Sequence, residues 1–300
     1  MAPLRLRVLW VPFSTLGRAH DELYAFLAAE RRRRLAAGLS CAPERCFTWP
    51  YAQMFVAPRW RILYCPVAKC ACTALKRLMV EIADPPGRVA ILAGDVHSAT
   101  DRAFTGVQLK DLDPATAEEA LFSSDWFRFA VVREPRARLL SAFWEKFVLH
   151  RRDPAVQGDI LPVLEAVAAR RGGVADPERG IAFVDFIHYL AESDPATLNA
   201  HWAPQRRCLG DLAYGALFRL DSLDLLAKAL SARVGRSIHI PVANVSRSGR
   251  GRRLPGAAHR VAAELERLGP VDAASFYEPE LDALVRERYA DDFALYAAAR

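Results

Sequence analysis

Two segments of this chain share one pattern, in which an apolar run leads through a short loop into a helix-forming stretch. The first covers residues 62–77 and the second covers residues 129–143. Parallel strands need a crossover connection, and that connection is usually a helix. The repeated pattern therefore predicts an α/β fold with a central, mostly parallel sheet flanked by helices. In such sheets, ligands bind at the carboxyl ends of the strands.

The first junction combines basic and hydroxyl side chains with a helix N-terminus. Apolar residues at positions 75, 78, 79 and 82 have the spacing of one helix face, which predicts a helix that begins near Cys72 or Thr73. Lys69 then lies in the preceding loop. Because this loop has no glycine, it is not the glycine-rich lysine loop of ATP and GTP hydrolases. An ammonium group, a hydroxyl group and unpaired backbone N–H groups together suit one phosphate or sulfate group.

The second junction offers an arginine and a serine. Residues 127–132 suit a buried strand, which ends at Arg133. Pro135 favours the start of a helix, and Ser141 follows in about the second turn of that helix. A guanidinium fork and a hydroxyl group can grip a phosphate from two directions, whereas the nearby Arg138 can be simple solvated surface. Together, the two junctions indicate a ligand with two anionic ends.

The composition is that of an ordinary globular chain with a mild basic excess. Of 300 residues 52% are hydrophobic, and 41 Lys and Arg against 35 Asp and Glu give a net charge of +6. This balance favours anionic ligands, but it is not the clustered charge of a nucleic-acid binder, so we expect no nucleic-acid partner. We predict a single domain over residues 1–300, with a core at about 58–297 and an N-terminal helical extension at 1–57. The arginines at 31–34 point around their helix and are expected to be solvated.

Hydrophobic periodicity predicts further elements along the chain. Helices are expected at residues 21–37, after residue 114, and at residues 161–171, 183–190 and 223–234; a buried strand is expected at residues 216–220. Apolar residues between positions 281 and 296 have the spacing of a core-facing helix. Strands that alternate with helices in this way again favour the α/β class.

The sequence indicates no membrane span, secretory leader or metal site. The apolar start at residues 4–13 is shorter than the ~20 residues of a membrane-spanning helix and is interrupted by arginines. We therefore expect a soluble, cytoplasmic protein without a membrane anchor, in which the six cysteines are reduced, buried thiols. Their spacing matches no zinc pattern. Cys41 and Cys46 could form a disulfide only if the protein were exported.

The two junctions also resemble segments of a known family. Residues 65–77 look like the 5′-phosphosulfate loop, and residues 132–143 like the 3′-phosphate segment, of the carbohydrate sulfotransferases of the chondroitin and dermatan type, often called sulfotransferase family two. Shorter likenesses follow at residues 93–98, 201–202, 217–220 and 289–296. The resemblance covers about residues 30–297. It implies the P-loop-like fold of the sulfotransferases that use 3′-phosphoadenosine 5′-phosphosulfate (PAPS).

By position, the resemblance also implies which residues bind PAPS. The 5′-phosphosulfate would be held by Ala68, Lys69, Cys70, Ala71, Cys72, Thr73 and Ala74. The 3′-phosphate would be held by Arg133 and Ser141. The basic segment 246–253 contains two further candidate cofactor contacts, Ser246 and Arg247, and could be either a lid over the adenosine bisphosphate or a solvated turn. No metal ion is expected to be required, since lysine and arginine supply the positive charge.

The reaction that the resemblance implies moves the sulfuryl group of PAPS to a hydroxyl group of a saccharide or a small metabolite. Lys69 is expected to neutralise charge on the leaving oxygen. His97 is the candidate general base, because its place between the junctions resembles that of a histidine in related sulfotransferases. The alternatives are a structural His97 and a base at Glu134. His201 and Trp202 either shape the acceptor side or simply pack.

Two other functions are weighed against sulfuryl transfer. A nucleotide-dependent phosphotransferase on a similar α/β core is disfavoured by the missing glycines of the first loop. A non-catalytic glycan- or nucleotide-binding relative is disfavoured because Lys69, Thr73, Arg133 and Ser141 are all present. The lack of an anchor of the kind that animal relatives use in the Golgi suggests a bacterial enzyme with an intracellular acceptor.

Overall fold

A four-stranded sheet forms the centre of the computed structural model, which describes residues 18–240 and 251–300. Its strands, in spatial order, are β1 (Phe55–Ala57), β2 (Ile62–Cys65), β3 (Phe127–Val132) and β4 (Ala216–Arg219). The β2–β3 and β3–β4 pairs are parallel, and only the edge strand β1 is antiparallel to its neighbour. The predicted α/β fold with a mostly parallel sheet is confirmed.

Connected by loops and short 3-10 turns, helices surround this sheet. They are α1 (Arg18–Ala36), α2 (Cys72–Ala83), α3 (Arg88–Ala93), α4 (Val96–Asp101), α5 (Pro114–Phe122), α6 (Pro135–Phe143), α7 (Pro154–Arg170), α8 (Phe183–Glu192), α9 (Gln205–Cys208), α10 (Leu223–Val234), α11 (Ala262–Leu268), α12 (Pro279–Arg288) and α13 (Ala290–Ala298). A π-helical segment, Trp144–Leu149, continues α6. The sequence pattern between residues 281 and 296 predicts one helix, but the structure has two helices there, α12 and α13. The backbone leaves helical geometry between them at Tyr289, where φ is −113°.

Parallel pairing brings the two predicted junctions to one edge of the sheet. Cys65, the last residue of β2, is paired with Ala130, and Val132, the last residue of β3, is paired with Arg219. The loop after β2 and Arg133 after β3 therefore leave the sheet at the same carboxyl edge. This is the edge at which open α/β sheets bind their ligands.

The first strand of the sheet begins three residues before the core boundary expected at about residue 58. β1 pairs with β2 through Phe55, Val56 and Ala57, and all three residues are fully buried. The arginines of α1 also differ from the prediction, because they are not all simply solvated. The guanidinium of Arg34 lies 4.3 Å from the ring centre of Phe104, so this helix packs against the domain through cation–π contacts.

Two apolar clusters make up the core, and the second one includes Trp202. The first cluster surrounds the sheet, and the second lies among α6, the π-helical segment and α8. In the second cluster Trp202 is 1% exposed, and its ring centre lies 5.7 Å from those of Phe147 and Phe186. Of the two roles left open for Trp202, core packing is therefore the one that the structure supports.

All six cysteines carry free thiols, and Cys72 is the one that is only half-buried. Burial raises the pKa of Cys46, Cys65 and Cys70 to about 12, so these thiols are protonated at neutral pH. Among the described residues, no helix is long and apolar enough to cross a membrane.

Candidate functional site

The loop of the first junction is held in an unusual backbone conformation. α2 begins at Cys72, as predicted, and the preceding loop places Lys69 at φ 68° and Ala71 at φ 58°. Residues other than glycine adopt this left-handed region at a cost of about 1–3 kcal/mol each, and such strain is concentrated at functional sites. The two positive φ values thus allow a loop without glycine to turn tightly into the helix N-terminus.

Lys69 lies inside this turn with little access to solvent. Its side chain is 10% exposed, and its ammonium group contacts the carboxylate of Glu145. Burial is the main cause that lowers the pKa of Lys69 to about 8, and the positive charges of Lys146 and Arg133 act in the same direction. A buried ammonium group of this kind interacts strongly with any anion that replaces its carboxylate partner.

Thr73, in the first turn of α2, is linked to His97 on α4. Nε2 of His97 is 3.1 Å from Oγ1 of Thr73, and Nδ1 is 2.9 Å from Nζ of Lys76. Burial, together with the charge of Lys76, lowers the pKa of His97 to about 4. A neutral imidazole that accepts from an ammonium group at Nδ1 carries its proton on Nε2. His97 then donates to Thr73, whose own hydroxyl proton is left to point at a ligand.

The second junction reaches the first through Arg133. Nη1 of Arg133 donates to the carbonyl oxygen of Lys69 at 3.3 Å, and burial lowers the pKa of the guanidinium. Ser141 is buried within α6, the helix that begins two residues after Arg133. The structure thus brings Lys69, Thr73 and Arg133 to one edge of the sheet, with Ser141 on the helix that leaves this edge.

Arg138 corrects the prediction of a solvated side chain. It is 1% exposed and donates to three carbonyl oxygens: that of Ala68 at 3.0 Å, that of Ala203 at 2.8 Å and that of Ala200 at 3.0 Å. Because Arg138 belongs to α6 and Ala68 to the first loop, its guanidinium ties the two junctions together. A sequence signal existed, since Arg138 precedes the apolar Ala142 by one helical turn and so shares a side of α6 with it.

Gln205, a residue that the sequence patterns did not single out, makes a second bridge between the junctions. Its Oε1 accepts from the backbone N–H of Arg133 at 2.9 Å and from Sγ of Cys70 at 3.4 Å. Its Nε2 donates to the carbonyl oxygen of Arg133 at 2.8 Å. Asp292 in turn accepts from the backbone N–H of Gln205 at 2.7 Å and so holds the start of α9. No local sequence pattern connects Gln205 with residues so far away in the chain.

Glu134 is engaged in structural contacts. Its carboxylate accepts from the backbone N–H of Ala137 at 2.8 Å, which caps α6, and from Nε of Arg136 at 2.7 Å. Arg136 continues the network to Asp282 at 3.1 Å. These contacts support a role for Glu134 in orienting Arg136 and capping α6, rather than the role of a base.

A buried polar network lies beside Lys69 and includes His201. Lys146 pairs with Asp159 at 3.0 Å, and Asp159 also accepts from Nδ2 of Asn199 at 2.8 Å. Oδ1 of Asn199 lies 2.8 Å from Nδ1 of His201. His201 is thus held by a side-chain network of residues that periodicity did not single out.

The arrangement suits a ligand with two anionic groups, such as PAPS. Lys69 and Thr73 lie at the start of α2, where the backbone N–H groups of a helix are unpaired, and Arg133 lies across the loop from them. Ser246 and Arg247 fall outside the described residues, so their contact with the cofactor stays a prediction. Within residues 18–240 and 251–300, no group of three or more His, Cys, Asp or Glu side chains could hold a metal ion.

Comparison with known proteins agrees with this geometry. A model described as the sulfotransferase family matches residues 52–297. Human carbohydrate sulfotransferase 14 is 35% identical over 50% of this chain and 38% of its own length. Carbohydrate sulfotransferase 14 of Danio rerio is 30% identical over 60% of this chain and 47% of its own length. Human carbohydrate sulfotransferase 8 is 28% identical over 75% of this chain and 53% of its own length.

This chain thus spans about half the length, or less, of these curated relatives. No solved structure gives a significant match. The family match nevertheless covers far more than half of the chain, from residue 52, just before β1, to residue 297 near the end of α13. The resemblance drawn from the two junctions is confirmed: the chain belongs to the sulfotransferase family, in the group often called sulfotransferase family two.

Proposed function

We propose that this protein transfers the sulfuryl group of PAPS to a hydroxyl group of a saccharide. One observation carries the proposal: Arg133, at the end of β3, contacts the backbone of Lys69, so that two anion-binding junctions form one continuous site. PAPS has two separated anionic groups that match these junctions. The names of the relatives, which are carbohydrate sulfotransferases, support a glycan acceptor.

In this proposal the chain divides the donor between its two junctions. Lys69, Thr73 and the backbone N–H groups of residues 68–74 hold the 5′-phosphosulfate, and Arg133 and Ser141 hold the 3′-phosphate. Bound there, PAPS supplies an activated sulfuryl group for transfer. The ammonium group of Lys69 stabilises the negative charge on the leaving oxygen, a contribution worth about 3 kcal/mol by comparison with other oxyanion donors. Arg138 and Gln205 hold the two junctions next to each other.

The role of His97 as general base stays a prediction. Its contacts support a different task, because its Nδ1 accepts from Lys76 and its Nε2 faces Thr73. Protonation would place a second positive charge beside Lys76, which is consistent with the low pKa of about 4. We therefore favour a positioning role, in which His97 fixes the hydroxyl group of Thr73 as a donor toward the 5′-phosphosulfate.

The test is a screen with isotopically labelled PAPS against unsulfated oligosaccharides, including chondroitin oligosaccharides, and hydroxyl-bearing metabolites. The expected result is a mass gain of one sulfate on an oligosaccharide, without added magnesium. A phosphotransferase would instead consume ATP and would bind adenosine 3′,5′-bisphosphate (PAP) weakly. A protein that binds PAP tightly but transfers sulfate to no acceptor would be the non-catalytic relative. A cytoplasmic location and a bacterial origin stay predictions from the sequence.

A further inference from the structure

Glu145 lies at the site, but the proposed binding of the donor does not use it. It belongs to the π-helical segment that continues α6, four residues after Ser141. π-Helical turns are rare and occur often at functional sites, since they change the direction of the side chains that follow. The carboxylate of Glu145 contacts the ammonium group of Lys69, the residue proposed to face the leaving oxygen.

The two partners of this contact differ in their access to solvent. The side chain of Lys69 is 10% exposed, whereas that of Glu145 is 41% exposed. Lys146 lies 3.9 Å from the same carboxylate, but its ammonium group is drawn toward Asp159 at 3.0 Å. Glu145 therefore lies between a buried cation and the solvent.

The two side chains considered above as general bases, His97 and Glu134, are held in other contacts. Nδ1 of His97 accepts from Lys76, and its Nε2 faces Thr73. Glu134 caps α6 and pairs with Arg136. In the part of the chain that the structure describes, Lys69 forms its ion pair with Glu145.

We propose that Glu145 is the catalytic residue that accepts the proton of the acceptor hydroxyl group. Before the donor binds, Glu145 pairs with Lys69. When the phosphosulfate pairs with Lys69 instead, the carboxylate of Glu145 is free to accept a hydrogen bond from the acceptor hydroxyl group. As the acceptor oxygen bonds to sulfur, the hydroxyl proton passes to Glu145 and then to water. The bond between sulfur and the 5′-phosphate oxygen breaks, and its electron pair stays on that oxygen, which Lys69 faces. The inference rests on the proposed function.

The experiment compares Glu145→Gln and Glu145→Asp with the wild type in the full chain. Glu165→Gln is the matched control, because Glu165 is an exposed glutamate on α7. Turnover is measured at saturating PAPS with the acceptor that the screen identifies, chondroitin oligosaccharides being tried first. PAP affinity is measured separately by calorimetry, and thermal melting checks that each variant is folded.

We expect Glu145→Gln to lower kcat by about 100-fold or more, the range for loss of a general base. PAP affinity should stay unchanged or increase, because the amide no longer competes for Lys69. Glu145→Asp should keep more activity than Glu145→Gln, and Glu165→Gln should match the wild type.

Three outcomes would overturn the inference. The first is a kcat of Glu145→Gln within about threefold of the wild type, well below the loss expected for a general base. The second is an increase of both kcat and PAP affinity, which would make Glu145 a mere competitor of the donor. The third is an equal loss of kcat and PAP affinity, which would make it structural. If the wild-type protein sulfates no acceptor, the proposed function itself is overturned. If the wild type and the Glu145→Gln variant are both active, only the inference about Glu145 is overturned.

Discussion

Burial determines the charge of two residues at the site. Lys69 has a pKa of about 8, and His97 has a pKa of about 4. At pH 7, roughly nine in ten Lys69 side chains carry the positive charge, and nearly all His97 rings are neutral. The site thus presents an ammonium group to a bound anion, while the neighbouring imidazole acts as a neutral hydrogen-bond partner.

The charge of Lys69 predicts an alkaline limit on donor use. Burial lowers this pKa, so the charged form that binds phosphosulfate exists below about pH 8 and is lost as pH rises through this value. We expect kcat/KM for PAPS to fall above about pH 8. Lys69→Arg should remove the fall, since a guanidinium stays charged throughout this range. Steady-state rates of both proteins across neutral and alkaline pH check this, and a fall that persists in Lys69→Arg would assign the limit to another group.

The proposed contact of Arg133 with the 3′-phosphate predicts that Arg133→Ala weakens the binding of PAP. Arg133→Ala removes a half-buried guanidinium from the proposed 3′-phosphate site, and a charged hydrogen bond contributes about 1.5–3 kcal/mol. Calorimetry with PAP should show an affinity lower by that amount. Arg136→Ala is the control, because Arg136 follows closely in the chain, in the first turn of α6, but pairs with Glu134 and Asp282. Equal affinities of wild type and Arg133→Ala would remove Arg133 from the site.

At the scale of elements, the site depends on how α6, α9 and the loop after β2 are joined. Arg138 connects α6 with that loop, and Gln205 connects α9 with the end of β3. Neither side chain needs to touch the donor. Their contribution is geometric, because they hold the two anion-binding junctions at a constant separation.

Replacement of Gln205 should therefore weaken both junctions together. Gln205→Leu leaves the backbone N–H and C=O groups of Arg133 without their partner, which costs about 1–3 kcal/mol for a buried unsatisfied group. We expect lower thermal stability and lower PAP affinity in the same variant. Gln157→Leu, a half-buried glutamine on α7, is the control. Unchanged PAP affinity in Gln205→Leu would show that the junctions keep their spacing without this bridge.

At the scale of the whole molecule, the proposed donor site lies between the two halves of the core. The sheet and α2 belong to the first apolar cluster, and α6 with the π-helical segment belongs to the second. A ligand that spans both junctions should therefore stabilise the complete domain. Cationic side chains of both junctions lie close together at this edge, and a bound anion reduces their mutual repulsion.

PAP is expected to raise the melting temperature of the protein. Binding to the folded state alone contributes about 2.7 kcal/mol at a ligand concentration 100 times Kd. Thermal melting should show this shift with PAP but not with adenosine, which lacks both phosphates. Arg133→Ala should lose most of the shift at the same PAP concentration. A shift of equal size with adenosine would show that the phosphates are not what the site recognises.

Much of the fold was predictable because it depends on local pattern. The spacing of apolar residues correctly predicts the start of α2 near Cys72 and the full extent of α10. The order of strands and helices predicts the parallel sheet, since crossover connections leave few other topologies. The antiparallel β1 and the division of the C-terminal stretch into α12 and α13 were not predicted, because three residues and one backbone angle leave no periodic signal.

The sequence by itself determined the two junctions, their charged and hydroxyl residues and the family, because these are properties of neighbouring positions. Tertiary structure decided the rest: the burial of Arg138, the bridge of Gln205, the partners of His97 and the contact of Glu145 with Lys69. Each of these joins residues far apart in the chain. Their geometry and protonation depend on packing and low solvent access, which no local pattern encodes.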